Sequence, residues 1–214
     1  MNIKKMITAV FVLCTFLACN NNTGNSKQTT VNDETMEKNE KALVVFFSHA
    51  GDNYAVGDVE VGNTKIVADY IHELIGADLF ELVIDKYDGM AYESLCELAK
   101  QEQKEGLLPE FQDELKNLDQ YKTVFIGGPV WWGTYPQVMF TFFKKYDLSN
   151  KTLIPFTTHE GSGLGQCAEA VRKAYPKAIV KGEFAIYGHE VRGGKKQIAK
   201  WLTDLGYTIQ QEEE

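Results

Sequence analysis

The chain has 214 residues, of which 44% are hydrophobic and 12% aromatic, and its formal net charge is −8. That length suits one ordinary domain with extra segments, and the apolar share is enough for a sizeable core. The acidic balance argues against nucleic-acid binding and for a basic protein partner or a steered encounter.

The first residues read as an export signal rather than as part of a fold. Lys4 and Lys5 give a positive start, and Met6 to Ala18 is apolar but too short for a good transmembrane helix. Its end, FLAC, resembles the lipobox of bacterial lipoproteins, with Phe16 where that box usually has Leu. Lipidation of Cys19 is therefore expected, with a signal peptide cleaved near Ala18 as the alternative. The mature protein would be exported and membrane-anchored, facing the periplasm or the cell exterior. Loss of Lys4 and Lys5 takes the net charge from −8 to −10. Residues 20–41 are rich in Asn, Thr, Ser, Lys and Glu, cannot bury enough surface to order themselves, and are expected to form a tether. The folded domain is expected over 42–210.

Within that domain the elements alternate. ALVVFF (Ala42 to Phe47) is a continuous apolar run, the pattern of a strand buried on both faces. From Thr64, the apolar positions Ile66, Val67, Tyr70, Ile71, Leu74 and Ile75 form a helical stripe that Gly76 ends. A second strand is expected over Leu79 to Ile84, and a helix striped by Tyr92, Leu95, Cys96 and Ala99 ends before Gly106. Thr123 to Ile126 is the third strand, with Gly127 and Gly128 as its stop. Pro136 opens a third helix, where its missing N–H costs least. Thr152 to Phe156 is the fourth strand; Leu164, Cys167, Val171 and Ala174 stripe the fourth helix. Ala178 to Tyr187 holds the fifth strand, with a break at Gly182, before a last helix through Ile198, Trp201, Leu202 and Leu205. Strict alternation predicts an α/β fold with a parallel sheet and helices on both faces. Ligands in such sheets sit beyond the carboxyl ends of the strands, where strand order reverses.

Three unusual loops fall at those ends. In the first, Ser48 to Thr64, a Ser hydroxyl and a glycine-flanked helix start would meet. This is either a phosphate site without a cation or a plain helix cap by Asn63 or Thr64. Gly57 and Gly62 have P-loop spacing, but Asn63 stands where the lysine belongs, and Asp58 and Glu60 would repel a triphosphate. In the second loop, GGPVWWGTYP, Pro129 is expected to stop strand pairing. Trp131 and Trp132 stand at the rim, and adjacent rings on one strand cannot share a direction. A flat aromatic ligand stacked on one ring accounts for the pair better than two core fillers. The third loop, TTHEGSGLGQ, carries His159, Glu160 and Ser162 among Gly161, Gly163 and Gly165. Glu160 breaks the G-x-S-x-G of a hydrolase, and no H-E-x-x-H or paired-Cys spacing supports a metal with His49, His159 or His189.

Taken together, the strand ending FFS, then GNT, GGPVWWGTYP and TTHEGSGLG, resemble the flavodoxin family over about Ala42 to Ile209. The resemblance implies a flavodoxin-like three-layer sandwich, a five-stranded parallel sheet in the order 2-1-3-4-5, and a non-covalent FMN. It assigns the FMN phosphate to Ser48, Gly62, Asn63 and Thr64. It places Pro129, Val130, Trp131, Trp132 and Gly133 on one side of the isoalloxazine, and Thr158, His159, Glu160, Gly161, Ser162 and Gly163 on another. A backbone carbonyl near Gly133 is implied as acceptor for reduced flavin N5. Flavodoxins usually have a compact S/T-x-T-G-x-T in the first loop, whereas this chain has a long insertion. SHAGDN fits the compact form loosely and brings Ala50 and Asn53 into play, while the late start of the helix favours the split site. The implied strand order also separates Cys96 from Cys167, so two free, buried thiols are expected.

The function implied is an electron carrier working at low potential with redox partner proteins. The alternative is an FMN-dependent NAD(P)H oxidoreductase acting on quinones or nitroaromatics, with His159, Glu160 and Tyr135 near the substrate.

Overall fold

The computed structural model describes residues 41–210. The export signal, Cys19 and nearly all of the tether lie outside the described residues.

The first strand, β1 (Ala42–Phe46), is buried along its whole length. Its side chains alternate between two cores. Leu43 and Val45 join one apolar cluster, and Ala42, Val44 and Phe46 join the other. A strand with a core on each face has no polar side, which is why the sequence reads as an unbroken apolar run. A short antiparallel hairpin follows, β2 (Gly51–Asn53) and β3 (Gly57–Val59), then helix α1 (Asn63–Ile75). Gly76 ends α1 at a φ of 69°, a left-handed position that glycine takes without steric cost. The chain continues through β4 (Asp78–Glu81), α2 (Tyr92–Glu105), β5 (Thr123–Pro129), α3 (Gln137–Lys145) and β6 (Thr152–His159). It ends through α4 (Cys167–Ala174), β7 (Ile179–Val180), β8 (Phe184–Tyr187) and α5 (Lys195–Asp204).

The main sheet runs β4-β1-β5-β6-β7, all in parallel register, with β8 also pairing β6. This is the expected order with the fifth strand in two pieces. The break falls at Gly182, whose φ is 67° and whose missing side chain leaves room for Leu205. Helices α1 and α5 cover one face through Val67, Ile71, Ile198 and Trp201. Helices α2, α3 and α4 cover the other through Leu95, Val138, Met139, Phe142, Cys167 and Val171. Fully burying each large apolar side chain contributes about 1.5–3 kcal/mol, so the two cores are the main stabilising term.

Several expected boundaries move. β4 stops at Glu81 rather than Ile84, although Leu82 N–H still donates to Phe46 O at 2.8 Å. β5 and β6 each extend three residues beyond Ile126 and Phe156. Gly127, Gly128 and Pro129 do not stop the strand; they pair with Phe156, Thr157 and Thr158. The glycines serve packing instead. A Cβ at Gly127 would enter the Phe156 ring, and one at Gly128 would lie 2.8 Å from the Tyr135 ring. Pro129 sits in the last register pair, where its missing N–H costs least, and Val130 N–H then donates to Thr158 O at 3.1 Å. Leu164 precedes α4 rather than belonging to it. The hairpin β2–β3 and a 3₁₀ segment over Gly188–Gly193 had no counterpart in the sequence reading.

Candidate functional site

The order reversal between β4-β1 and β5-β6 opens a cleft of about 410 Å³ beyond the strand ends. One wall is polar. Asn63 and Thr64 come from the first turn of α1, Thr158 and His159 from the end of β6, and Glu160 and Ser162 from the following loop. The opposite wall is aromatic and apolar, with Trp131 and Trp132 after β5, Tyr54 from the hairpin, and Tyr92, Leu95 and Cys96 from α2.

At the polar wall, Gly62 is the N-cap of α1 and carries no side-chain cap. Neither Asn63 nor Thr64 caps the helix. The capping contact comes from Ser48, whose Oγ accepts Lys65 N–H at 3.0 Å. Gly62 has to be glycine, because a Cβ would collide with Ser48 Oγ and the His49 carbonyl. Thr64 Oγ1 and Thr158 Oγ1 share a hydrogen bond of 2.7 Å, tying α1 to β6. No cation serves the helix start from Lys65, whose Nζ lies 2.7 Å from Asp69 Oδ1. The helix N-terminus and the hydroxyls are the groups on this wall that suit an anion.

The third loop is held by its own side chains. His159 Nδ1 accepts Gly161 N–H at 3.0 Å, which leaves the proton of the neutral ring on Nε2. Burial pulls the His159 pKa below its ordinary value against the opposing charges of Glu160 and Glu190. Glu160 accepts His189 N–H at 2.9 Å, and its other oxygen lies 2.7 Å from His189 Nδ1. Gly188 packs so tightly there that a Cβ would meet Asn63 Nδ2 and Glu160 Oε1.

The two tryptophans occupy a tight turn. Trp131 N–H donates to Thr134 O at 2.8 Å and Thr134 N–H to Trp131 O at 3.2 Å. Trp132 and Gly133 between them have φ of 50° and 85°, the signature of a type I′ turn. This turn sends the neighbouring rings apart. Trp131 packs edge-to-face on Phe47 and Tyr87, each with centroids at 5.4 Å. Trp132 lies on α2, its Nε1–H donating to Cys96 O at 2.9 Å and Lys100 Nζ standing 4.8 Å from its ring centroid.

The sequence-predicted residues divide into three groups. Asn53, Asn63, Thr64, Pro129, Val130, Trp131, Trp132, Thr158, His159, Glu160 and Ser162 line the large cleft. Ser48, Ala50 and Gly62 line a smaller cleft of about 260 Å³ on the β4 side. Gly133, Gly161 and Gly163 line neither and shape their loops at φ of 85°, 123° and 57°. The Gly133 carbonyl expected to serve flavin N5 has another partner, Gln166 N–H at 2.7 Å. Tyr135 is no proton donor for a substrate. It is fully buried, and its hydroxyl is spent on Ile126 O and Phe156 O at 2.8 and 3.2 Å. Cys96 and Cys167 are both free, but only Cys167 is buried; Cys96 lines the cleft.

Sequence reasoning missed Tyr54, Tyr92, Leu95, Cys96, Ala99 and Gly188, and considered His49 only as a metal ligand. The α2 stripe read as core because core and cleft use the same apolar side chains. The exposed Tyr54 in a polar insertion was the available signal.

The fold and site define a doubly wound α/β protein with a ligand cleft at its switch point. The chain belongs to the flavodoxin family, whose model matches residues 41–205. Similar solved structures include a Bacteroides eggerthii protein assigned as a flavoprotein, with 26% identity and a TM-score of 0.56, covering 79% of this chain and 100% of that one. A Lactobacillus acidophilus flavoprotein in complex with FMN has 20% identity and a TM-score of 0.54, covering 72% of this chain and 98% of that one. That second likeness speaks to the fold. No curated protein matches the chain.

Family membership gives FMN as the cofactor. The residues present fit it. A glycine N-cap and two threonine hydroxyls suit a phosphate, and an aromatic wall suits a flat ring. His49 adds a polar atom that has no partner among the described residues, its buried Nε2.

Proposed function

We propose that the protein is an FMN-binding electron carrier working at low potential. The observation that carries this reading is the division of one cleft into a hydroxyl and helix-terminus wall and an aromatic wall. Asn63 and Thr64 would hold the phosphate, with Thr158 fixing Thr64. Trp131 and Trp132 would flank the ring system, each locked by its own packing. FMN when bound supplies one- and two-electron chemistry. The residues around it set the cost of added negative charge. Glu160 lines the cleft, Asp52 accepts the backbone N–H of the cleft residue Tyr92, Lys65 at the α1 start is held by Asp69, and the whole chain carries −8. Each disfavours an anionic reduced ring and so lowers the potential. The same charge favours a redox partner with a basic docking face. Stepwise photoreduction of the FMN complex tests the carrier reading. Separated one-electron steps support it, and a single two-electron bleach counts against it.

A second reading has an observation of its own. The inserted hairpin lays Tyr54 beside Tyr92, centroids 6.0 Å apart, and Asp52 Oδ2 accepts Tyr92 N–H at 3.0 Å. This adds aromatic wall that a substrate such as a quinone or nitroaromatic would contact. An FMN-dependent oxidoreductase fed by NAD(P)H is the activity that follows. Rapid flavin reduction on mixing with NADH or NADPH would favour it over the carrier.

Export and a lipid anchor at Cys19 complete the proposal. Mass spectrometry of the N-terminal peptide and membrane release of a Cys19→Ala variant test them.

A further inference from the structure

His49 is 7% exposed, and among the described residues its Nε2 is the one buried side-chain nitrogen or oxygen with no hydrogen-bond partner. An unsatisfied buried polar atom is costly, and native structures rarely keep one without a use. Gly51, the first residue of β2, lies beside the ring, where a Cβ would stand 3.9 Å from Nε2. Asn53 holds that backbone in place by donating to Gly51 O at 2.9 Å and His49 O at 3.3 Å. The imidazole stands edge-on to Trp131, centroids 6.0 Å apart. His49 lines both clefts, but Trp131 lines only the larger one.

We propose that His49 is a flavin-contacting residue of the larger cleft, its Nε2 completed by a hydrogen-bonding atom of the isoalloxazine ring. The inference rests on the FMN reading above and adds a residue to it. Three features select the ring over the phosphate. The imidazole lies against Trp131, on the ring-binding wall. Of the residues assigned to the phosphate, Asn63 and Thr64 are the two that line the larger cleft, and they belong to α1, whereas Ser48 and Gly62 line the smaller one. Burial also lowers the His49 pKa against the opposing pull of Asp88 and Asp52, so the ring is neutral at neutral pH and offers a phosphate no charge. A neutral imidazole has one donor and one acceptor nitrogen, and the edge of an isoalloxazine carries both kinds of partner.

The test compares FMN and riboflavin binding, followed by flavin fluorescence, in the wild type, His49→Phe and His49→Gln. His49→Phe keeps a ring and removes the nitrogen. It is expected to lose about tenfold in affinity for both ligands, the usual worth of one net hydrogen bond. His49→Gln returns a polar atom near the same place and should recover part of the loss. The ligand-free His49→Phe protein should melt no lower than wild type, because an apolar group replaces an unsatisfied one. A purely structural histidine gives the opposite pattern, a lower melting temperature with unchanged affinity, and that result overturns the proposal. Loss confined to FMN assigns Nε2 to the phosphate and overturns the ring contact. If a variant does not fold, the ¹⁵N signal of His49 Nε2 in the wild type decides. It should move on adding riboflavin, and a fixed signal overturns the proposal. Wild-type protein that binds neither flavin refutes the FMN reading itself, a result distinct from all of these.

Discussion

At Trp132 the backbone holds a bulky residue at a φ of 50°, where side chains other than Gly, Asn and Asp are strained by about 1–3 kcal/mol. The Nε1–H bond to Cys96 O and the contact with Lys100 offset that strain. Trp131 is different, since it is wedged against Phe47 and Tyr87. The two substitutions should therefore separate. Trp131→Ala is expected to lower stability by about 2–4 kcal/mol, while Trp132→Ala should cost under about 1 kcal/mol, both read from denaturant melts. Both should weaken FMN binding; unchanged affinity in both would make the rings packing alone. Gly62→Ala tests the helix start. Its Cβ would meet Ser48 Oγ and the His49 carbonyl, so a loss of about 1–3 kcal/mol is expected together with weaker FMN binding. Much of this site was legible in the sequence, because GNT, VWW and THEGS sit where a doubly wound sheet puts ligands. What was not legible is direction. Nothing in the letters shows that Ser48 turns to cap Lys65 or that the Gly133 carbonyl turns to Gln166.

Among the elements, β4 and α2 carry charged groups whose cost can be measured. Burial raises the Glu81 pKa, with Asp69 adding to the rise and Lys65 opposing it. A carboxyl with a raised folded pKa destabilises the fold when ionised, and the penalty fades as pH falls through the glutamate range. Glu81→Gln should thus be more stable than wild type at pH 7, with the gap narrowing as pH falls through the raised folded pKa and gone by about pH 4 in thermal melts. On α2, Glu102 is 1% exposed and bonds Lys86 at 2.5 Å and Tyr87 OH at 2.7 Å. Lys86→Ala leaves that carboxylate with one partner and should cost about 1–3 kcal/mol, with Tyr87 and the Trp131 it supports loosened together. The helices and the apolar strand centres followed from periodicity, since their burial fixes the pattern. The strand ends did not. Gly127, Gly128 and Pro129 are turn formers by propensity, and only the ring of Phe156 lying across Gly127 shows why they stay in the sheet. The hairpin was hidden for the opposite reason: a three-residue strand of GDN has no apolar alternation to read.

For the whole molecule, the sheet order, the two-sided helix cover and the cleft at the order reversal are consequences of one alternating pattern. The added hairpin then brings Asn53 and Tyr54 to the cleft and Gly51 beside His49. The formal charge of −8 makes the electron-carrier reading testable through salt. Association with a basic partner should slow as ionic strength rises, because exposed charges are screened beyond about 8 Å at physiological salt. On the proposed reading, this cleft takes FMN between the α1 N-terminus and a tryptophan-lined wall. The decisive measurement is a titration of FMN into the purified protein, followed by flavin fluorescence and absorbance. Saturable one-to-one quenching that weakens in Trp131→Ala and Gly62→Ala is expected; a spectrum identical to free FMN at every protein concentration would rule this binding mode out.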